Sequence, residues 1–219
     1  MEGLLAGKVA LVQGAATPIG RAVCAALRDA GAAVEPTGSG ASPAASWAAL
    51  ATVDVYVHCG RWDEVGAPCP FATLDDVAFA EAFERPVLEL IASLRAGYAH
   101  LAKPGGRVVV IVPTAAMAGA PGLAATAAAA EAQRQLAKSV ARQWGSDGLS
   151  VNVVAADLAA MAPGIAGLPA VSLSPPALGS PAVADLGAIG RLVAVLASGE
   201  ASALTGATLS ADGGVWMAP

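Results

Sequence analysis

The stretch Leu123 to Trp144 has the length, alanine content and polar spacing of a long helix, and the runs on both sides of it read as strands. A long helix bracketed by strands buries its apolar stripe against a sheet, which directs the chain toward an α/β architecture. The N-terminal part agrees. Lys8 to Gln13 (KVALVQ) is a buried-strand run, Gly14 to Gly20 (GAATPIG) is a glycine turn, and Ile19 to Ala30 is a helix stopped by Gly31. Ala32 to Glu35 is a second short strand, so these pieces form a βαβ unit with a right-handed crossover.

Thr37 to Ser46 contains only breakers and small residues and reads as a loop. Val53 to His58 is the next strand. Leu74 to Leu101 is helical, with Pro86 removing a backbone bond and kinking it. Arg107 to Val112 (RVVVIV) is the most strand-like run, and Leu149 to Val154 follows the long helix as another strand. Met161 to Pro181 is an irregular loop, Ala182 to Ser198 a helix, and Ala207 to Ser210 a last strand before Asp212, Gly213 and Gly214. Strands alternating with helices of this length predict a parallel sheet covered on both faces. A chain of 219 residues accommodates one such domain, spanning 1–219.

Only 13% of the residues are charged and 56% are apolar, so the surface has few charges to hold it apart from other chains. Two consequences are open: large apolar faces buried between subunits, or small alanine methyls exposed without forming a patch. A net charge of −5 argues against nucleic acid as a partner. No apolar run is long enough to span a bilayer, and the N-terminus has no basic signal head. Cys24, Cys59 and Cys69 are odd in number and irregularly spaced, which suggests neither a disulfide framework nor a metal site. The expected setting is the reducing cytoplasm.

The pieces KVALVQGAATPIGRAV, DVYVHCG, LAKPGGRVVVIV, VARQWGSDGLSVNVVA and LTGATLSADGG, in this order, resemble the short-chain dehydrogenase/reductase family over nearly the whole chain. The resemblance implies a Rossmann-like, doubly wound parallel sheet. Between Gly38 and Val53 the chain is too short for the family's helix and strand. Six strands are therefore expected, with one family strand and helix deleted.

Function is a separate matter from fold. The family's dinucleotide loop implies three glycines. Gly14 and Gly20 fit the outer places, but Pro18 holds the middle one, where it removes an N–H and adds a ring. The loop reads as vestigial. At the end of the second strand, Pro36, Thr37 and Gly38 replace the charged residue that selects a nicotinamide cofactor. The family's tyrosine acid/base and its lysine fall on Thr126 and Ala130, its serine on Pro113 or Thr114, and its asparagine on Arg85 or Pro86. A threonine hydroxyl is far less acidic than a phenol, and alanine supplies no cation to assist it.

Other candidates are weaker. His58 and Cys59 are adjacent on a strand and point to opposite faces, so they read as packing residues rather than a nucleophile pair. Asp63 and Glu64 read as loop carboxylates, Asp75 and Asp76 as favourable charges at a helix N-terminus, and Asp157 stands where the family has a Pro-Gly turn. The expectation is a non-catalytic, cofactor-free member (a pseudoenzyme) that joins an active short-chain dehydrogenase paralogue through its long helices and C-terminal segment. The alternatives are a cofactor-independent cyclase, isomerase or dehydratase, a ligand sensor, or a homo-oligomer.

Overall fold

The valine-rich runs lie side by side as a six-stranded, wholly parallel sheet in the order β2-β1-β3-β4-β5-β6 in the computed structural model. It describes residues 3–38, 42–167, 177–178 and 185–217. The strands are β1 (Val9–Gln13), β2 (Ala33–Thr37), β3 (Val55–His58), β4 (Arg107–Pro113), β5 (Ser150–Ala156) and β6 (Thr208–Ala211). β4 and β5 are buried almost end to end, which is why both read as continuous apolar runs rather than alternating ones. The expected Rossmann-like arrangement is present, and the sheet has the six strands that the short link after Gly38 implies.

The helices are α1 (Pro18–Asp29), α2 (Pro43–Ala48), α3 (Asp76–Gly97), α4 (Ala115–Ala118), α5 (Ala124–Trp144), α6 (Leu158–Met161) and α7 (Leu186–Leu196). α1 packs on α7, and α3 on α5, the two pairs covering opposite faces of the sheet. Gly190 permits the first contact: a Cβ there would lie 2.7 Å from the Ala22 carbonyl oxygen of α1. On the other face α2 presses Trp47, 1% exposed, onto Tyr56 with ring centroids 5.0 Å apart.

Several boundaries differ from the sequence reading. β2 continues past Glu35 to Thr37, because pairing of Pro36 with Val12 and Thr37 with Gln13 overrides their turn propensity; the strand is at a sheet edge, where proline is tolerated. β3 begins at Val55, and Val53 makes only an isolated bridge to Leu101. α3 is shorter than Leu74 to Leu101: Asp75 caps its N-terminus by accepting from the Val77 and Ala78 N–H groups. Pro86 lies inside α3 without ending it. The link between β2 and β3 keeps a short helix, α2, and no strand among the described residues. The irregular loop expected over Met161 to Pro181 contains the end of α6 and a 3-10 turn at Pro163–Ile165, while 168–176 and 179–184 lie outside the described residues. The helix expected over Ala182 to Ser198 is described from Leu186 to Leu196.

Candidate functional site

A parallel sheet of this order presents its ligand crevice at the C-terminal strand ends, where the strand sequence reverses between β1 and β3. Gln13, Thr37, His58, Pro113 and Ala156 stand at those ends.

The glycine turn after β1 uses four of its N–H donors internally, those of Gly14, Ala15, Thr17 and Gly20. Gly14 and Ala15 both donate N–H to the Thr37 carbonyl at 3.1 Å, and Thr17 N–H donates to the Gly14 carbonyl. Thr17 Oγ1 donates to the same carbonyl and accepts from Gly20 N–H at 3.0 Å, capping α1. Arg21 N–H returns to the Thr17 carbonyl. Pro18 occupies the first turn of α1, where a missing N–H is least costly, and it adds no donor. An anion at a helix N-terminus requires free N–H groups. Here Thr17 satisfies one and Pro18 removes another.

Behind the turn lies a buried polar layer absent from the sequence reading. Tyr56 O–H and Ser93 Oγ–H each donate to Gln13 Oε1 at 2.5 Å. That fixes the amide: Gln13 Nε2 faces outward and donates to Glu89 Oε1 at 2.6 Å. The Tyr56 proton is directed to Gln13, so the phenol oxygen accepts from His58 Nδ1, 3.2 Å away, which places the neutral tautomer's proton on Nδ1. His58 Nε2 is buried without a hydrogen-bond partner among the described residues. Burial lowers the His58 pKa to about 4, and desolvation raises that of Glu89 against the pull of Gln13, Arg61 and Arg85. Burial likewise raises the Cys59 thiol far above its ordinary range. His58 and Cys59 are both fully buried, His58 as the last residue of β3 and Cys59 just beyond it rather than on the strand.

On the α3/α5 side, Thr126 is 7% exposed on the wall of a cleft shared with Arg61, Glu64, Glu81, Arg85 and Pro86. Ala130, one turn further along α5, is completely buried. Arg61 pairs with Glu64, which Arg85 also approaches at 3.5 Å. Pro86 directs its carbonyl to Gln133 Nε2 at 2.9 Å, tying α3 to α5. Pro113 ends β4 opposite Ala156, and the next residue, Thr114, is 1% exposed with its Oγ1 unpartnered among the described residues. The positions singled out in the sequence thus fall into three places: Arg85, Pro86 and Thr126 line one cleft, Pro113 and Thr114 lie at the end of β4, and Ala130 is in the core.

Asp157 caps α6 through the Ala159 N–H, and burial together with the Asp212 charge raises its pKa. Asp212, 1% exposed, accepts from the N–H groups of Gly214 and Trp216 at 3.0 Å and so anchors the C-terminal segment. Asp63 and Glu64 belong to a 3-10 turn, Trp62–Glu64. The ring of Trp62 is 3% exposed, and its Nε1–H donates to the Ile111 carbonyl at 2.9 Å. The sequence reading passed over Trp62, whose only signal is a tryptophan placed just beyond HisCysGly. Among the described residues no group of three His, Cys, Asp or Glu side chains could hold a metal ion, and no helix is long and apolar enough to cross a membrane.

The profile of the family described as enoyl-(acyl carrier protein) reductase matches residues 41–216. No protein of curated function matches the sequence. Among solved structures, a dehydrogenase/reductase from Sinorhizobium meliloti 1021 is 25% identical with a TM-score of 0.82, covering 98% of each chain. A variant of a Serratia marcescens short-chain dehydrogenase/reductase is 26% identical with a TM-score of 0.79, over 96% of this chain and 98% of that one. A dehalogenation enzyme shares the fold with a TM-score of 0.84 at 18% identity, over 97% of this chain and 100% of that one. Profile, strand order and full-length superposition agree: the chain belongs to the short-chain dehydrogenase/reductase family.

Proposed function

We propose that this chain is a non-catalytic subunit, a pseudoenzyme that assembles with a catalytically active paralogue in a hetero-oligomeric oxidoreductase. The observation that carries the reading is the pair Thr126 and Ala130. The family resemblance puts the acid/base phenol and its lysine there, and this chain has a buried hydroxyl and a fully buried methyl. Around Thr126 the cleft offers guanidinium–carboxylate pairs, which are always-charged or mutually neutralised groups rather than a tuned proton donor. The residues present also do not fit a nicotinamide dinucleotide. The turn that would hold its pyrophosphate has used N–H groups of Gly14, Ala15, Thr17 and Gly20 on the chain's own oxygens. Assembly is supported by the outer faces of α3 and α5, which form a groove where Ile91, Leu136, Val140 and Trp144 stand beside the polar Arg95 and Gln143.

Affinity purification of the chain at native expression tests this. The expected result is a stoichiometric family member that itself carries the tyrosine and lysine. Titration of the purified chain with either nicotinamide dinucleotide is expected to show no saturable binding, and micromolar affinity refutes the assignment. A second reading draws on the charged cleft remaining beside Thr126: a cofactor-independent enzyme of cyclase, isomerase or dehydratase type, or a ligand sensor. A purified homo-oligomer that turns over a substrate without nicotinamide decides for that enzyme.

A further inference from the structure

The end of β4 extends past its neighbour. β3 stops at His58, opposite Val110, whereas β4 runs on to Pro113. Beyond that point β4 has no strand on its β3 side among the described residues, and a buried backbone carbonyl there needs a donor from elsewhere. Trp62 supplies it: after Gly60 the chain turns back and lays its indole against the strand end, with Nε1–H on the Ile111 carbonyl at 2.9 Å.

Gly60 lies against that ring, and its surroundings fix the turn that carries it. Gly60 has a positive φ of 65°, and a Cβ on it would fall 2.5 Å from Trp62 Nε1, so the floor is backbone. The Trp62–Glu64 turn packs against α6, whose Leu158 and Met161 are 2% and 1% exposed. Glu64 holds the turn in place by pairing with Arg61 and approaching Arg85 of α3. The Gly60 backbone meets the glycine turn on the other side, where a Cβ on Gly14 would lie 2.8 Å from the Gly60 oxygen.

We infer that Trp62 is a tethered ligand: the strand ends form a site for a flat heteroaromatic ring bearing one N–H donor, and the chain fills that site with its own indole. The Ile111 carbonyl reads the N–H, and the Gly60 backbone lies against the five-membered part of the ring. A free ring of the same chemistry enters only when Trp62 is removed. The crevice of this family member is then closed from within.

The test is replacement of the side chain by a free one. Trp62→Gly, checked as folded by circular dichroism, is expected to bind one indole per chain saturably and to rise in Tm with indole, whereas the wild type binds none. 1-Methylindole has the same ring but no donor and is expected to bind about tenfold more weakly. Absence of indole binding by the folded variant overturns the proposal, as does equal affinity for the two rings, which marks a greasy cavity only. Saturable binding of indole to the wild type at this position also overturns it. If Trp62→Gly does not fold, Trp62→Phe decides. It keeps a ring and loses the donor, so its Tm is expected about 2–4 °C below wild type. A Phe variant as stable as wild type refutes the role of the Ile111 carbonyl. None of these readouts involves a paralogue, so the subunit assignment and this one fail separately.

Discussion

Gln13 ends a strand as its one polar residue, and its amide organises everything polar behind the crevice. Two hydroxyls saturate Oε1, so Nε2 has a single direction, toward Glu89. Gln13→Leu leaves the Tyr56 and Ser93 hydroxyls and an inward-facing carboxylate without their partner, and about 2–4 kcal/mol of stability is expected to be lost in urea unfolding. The same scale governs any attempt to restore family chemistry. Ala130 is 0% exposed, so Ala130→Lys forces an ammonium into the core and is expected to cost more than about 3 kcal/mol. The double variant Thr126→Tyr/Ala130→Lys is expected to show no reductase activity with either nicotinamide dinucleotide in a spectrophotometric assay, because Pro18 and the internally bonded N–H groups of Gly14, Ala15, Thr17 and Gly20 are unchanged.

Helices begin and end where side chains compete for the free backbone groups, and α1 illustrates it. Thr17 takes the Gly20 N–H and Pro18 fills the first turn. Thr17→Ala is expected to cost about 1 kcal/mol in denaturant unfolding, with Gly14 freed of one contact to its carbonyl. Helix packing is equally specific. Gly190→Ala puts a methyl 2.7 Å from the Ala22 oxygen and is expected to cost about 1–3 kcal/mol by separating α7 from α1. Helix type was legible from periodicity in both cases. The caps and the close approach were not, since each depends on a partner or a local geometry that composition does not specify.

Across the whole molecule, buried titratable groups couple the fold to pH with opposite signs. His58 is neutral in the folded chain down to about pH 4, whereas an unfolded histidine takes its proton near 6.5. The unfolded state therefore binds more protons as pH falls through this window, and stability decreases by on the order of 3 kcal/mol between pH 6.5 and 4. Glu89 and Asp157 have raised folded pKa values, so each favours the folded chain at low pH and loses that contribution as pH rises through the folded value. His58→Gln isolates the histidine: the difference between its Tm profile and that of wild type is expected to slope with pH only below about 6.5. A difference constant from pH 7.5 to 4.5 contradicts a neutral buried His58.

The order of strands and helices was fixed by local pattern: apolar runs such as Arg107 to Val112 can only be buried on both faces, and the Leu123 to Trp144 region has one stripe to cover. Residue identity alone likewise put Thr126, Ala130 and Pro18 at positions where the family resemblance implies other chemistry. Tertiary structure decided the rest. Whether β2 ran through Pro36, how Gln13 pointed its amide, and that Trp62 reached Ile111 all depend on segments far apart in sequence being brought together. A hydrogen bond between such segments exists only after the sheet has formed, so no local window of the chain carries a signal for it.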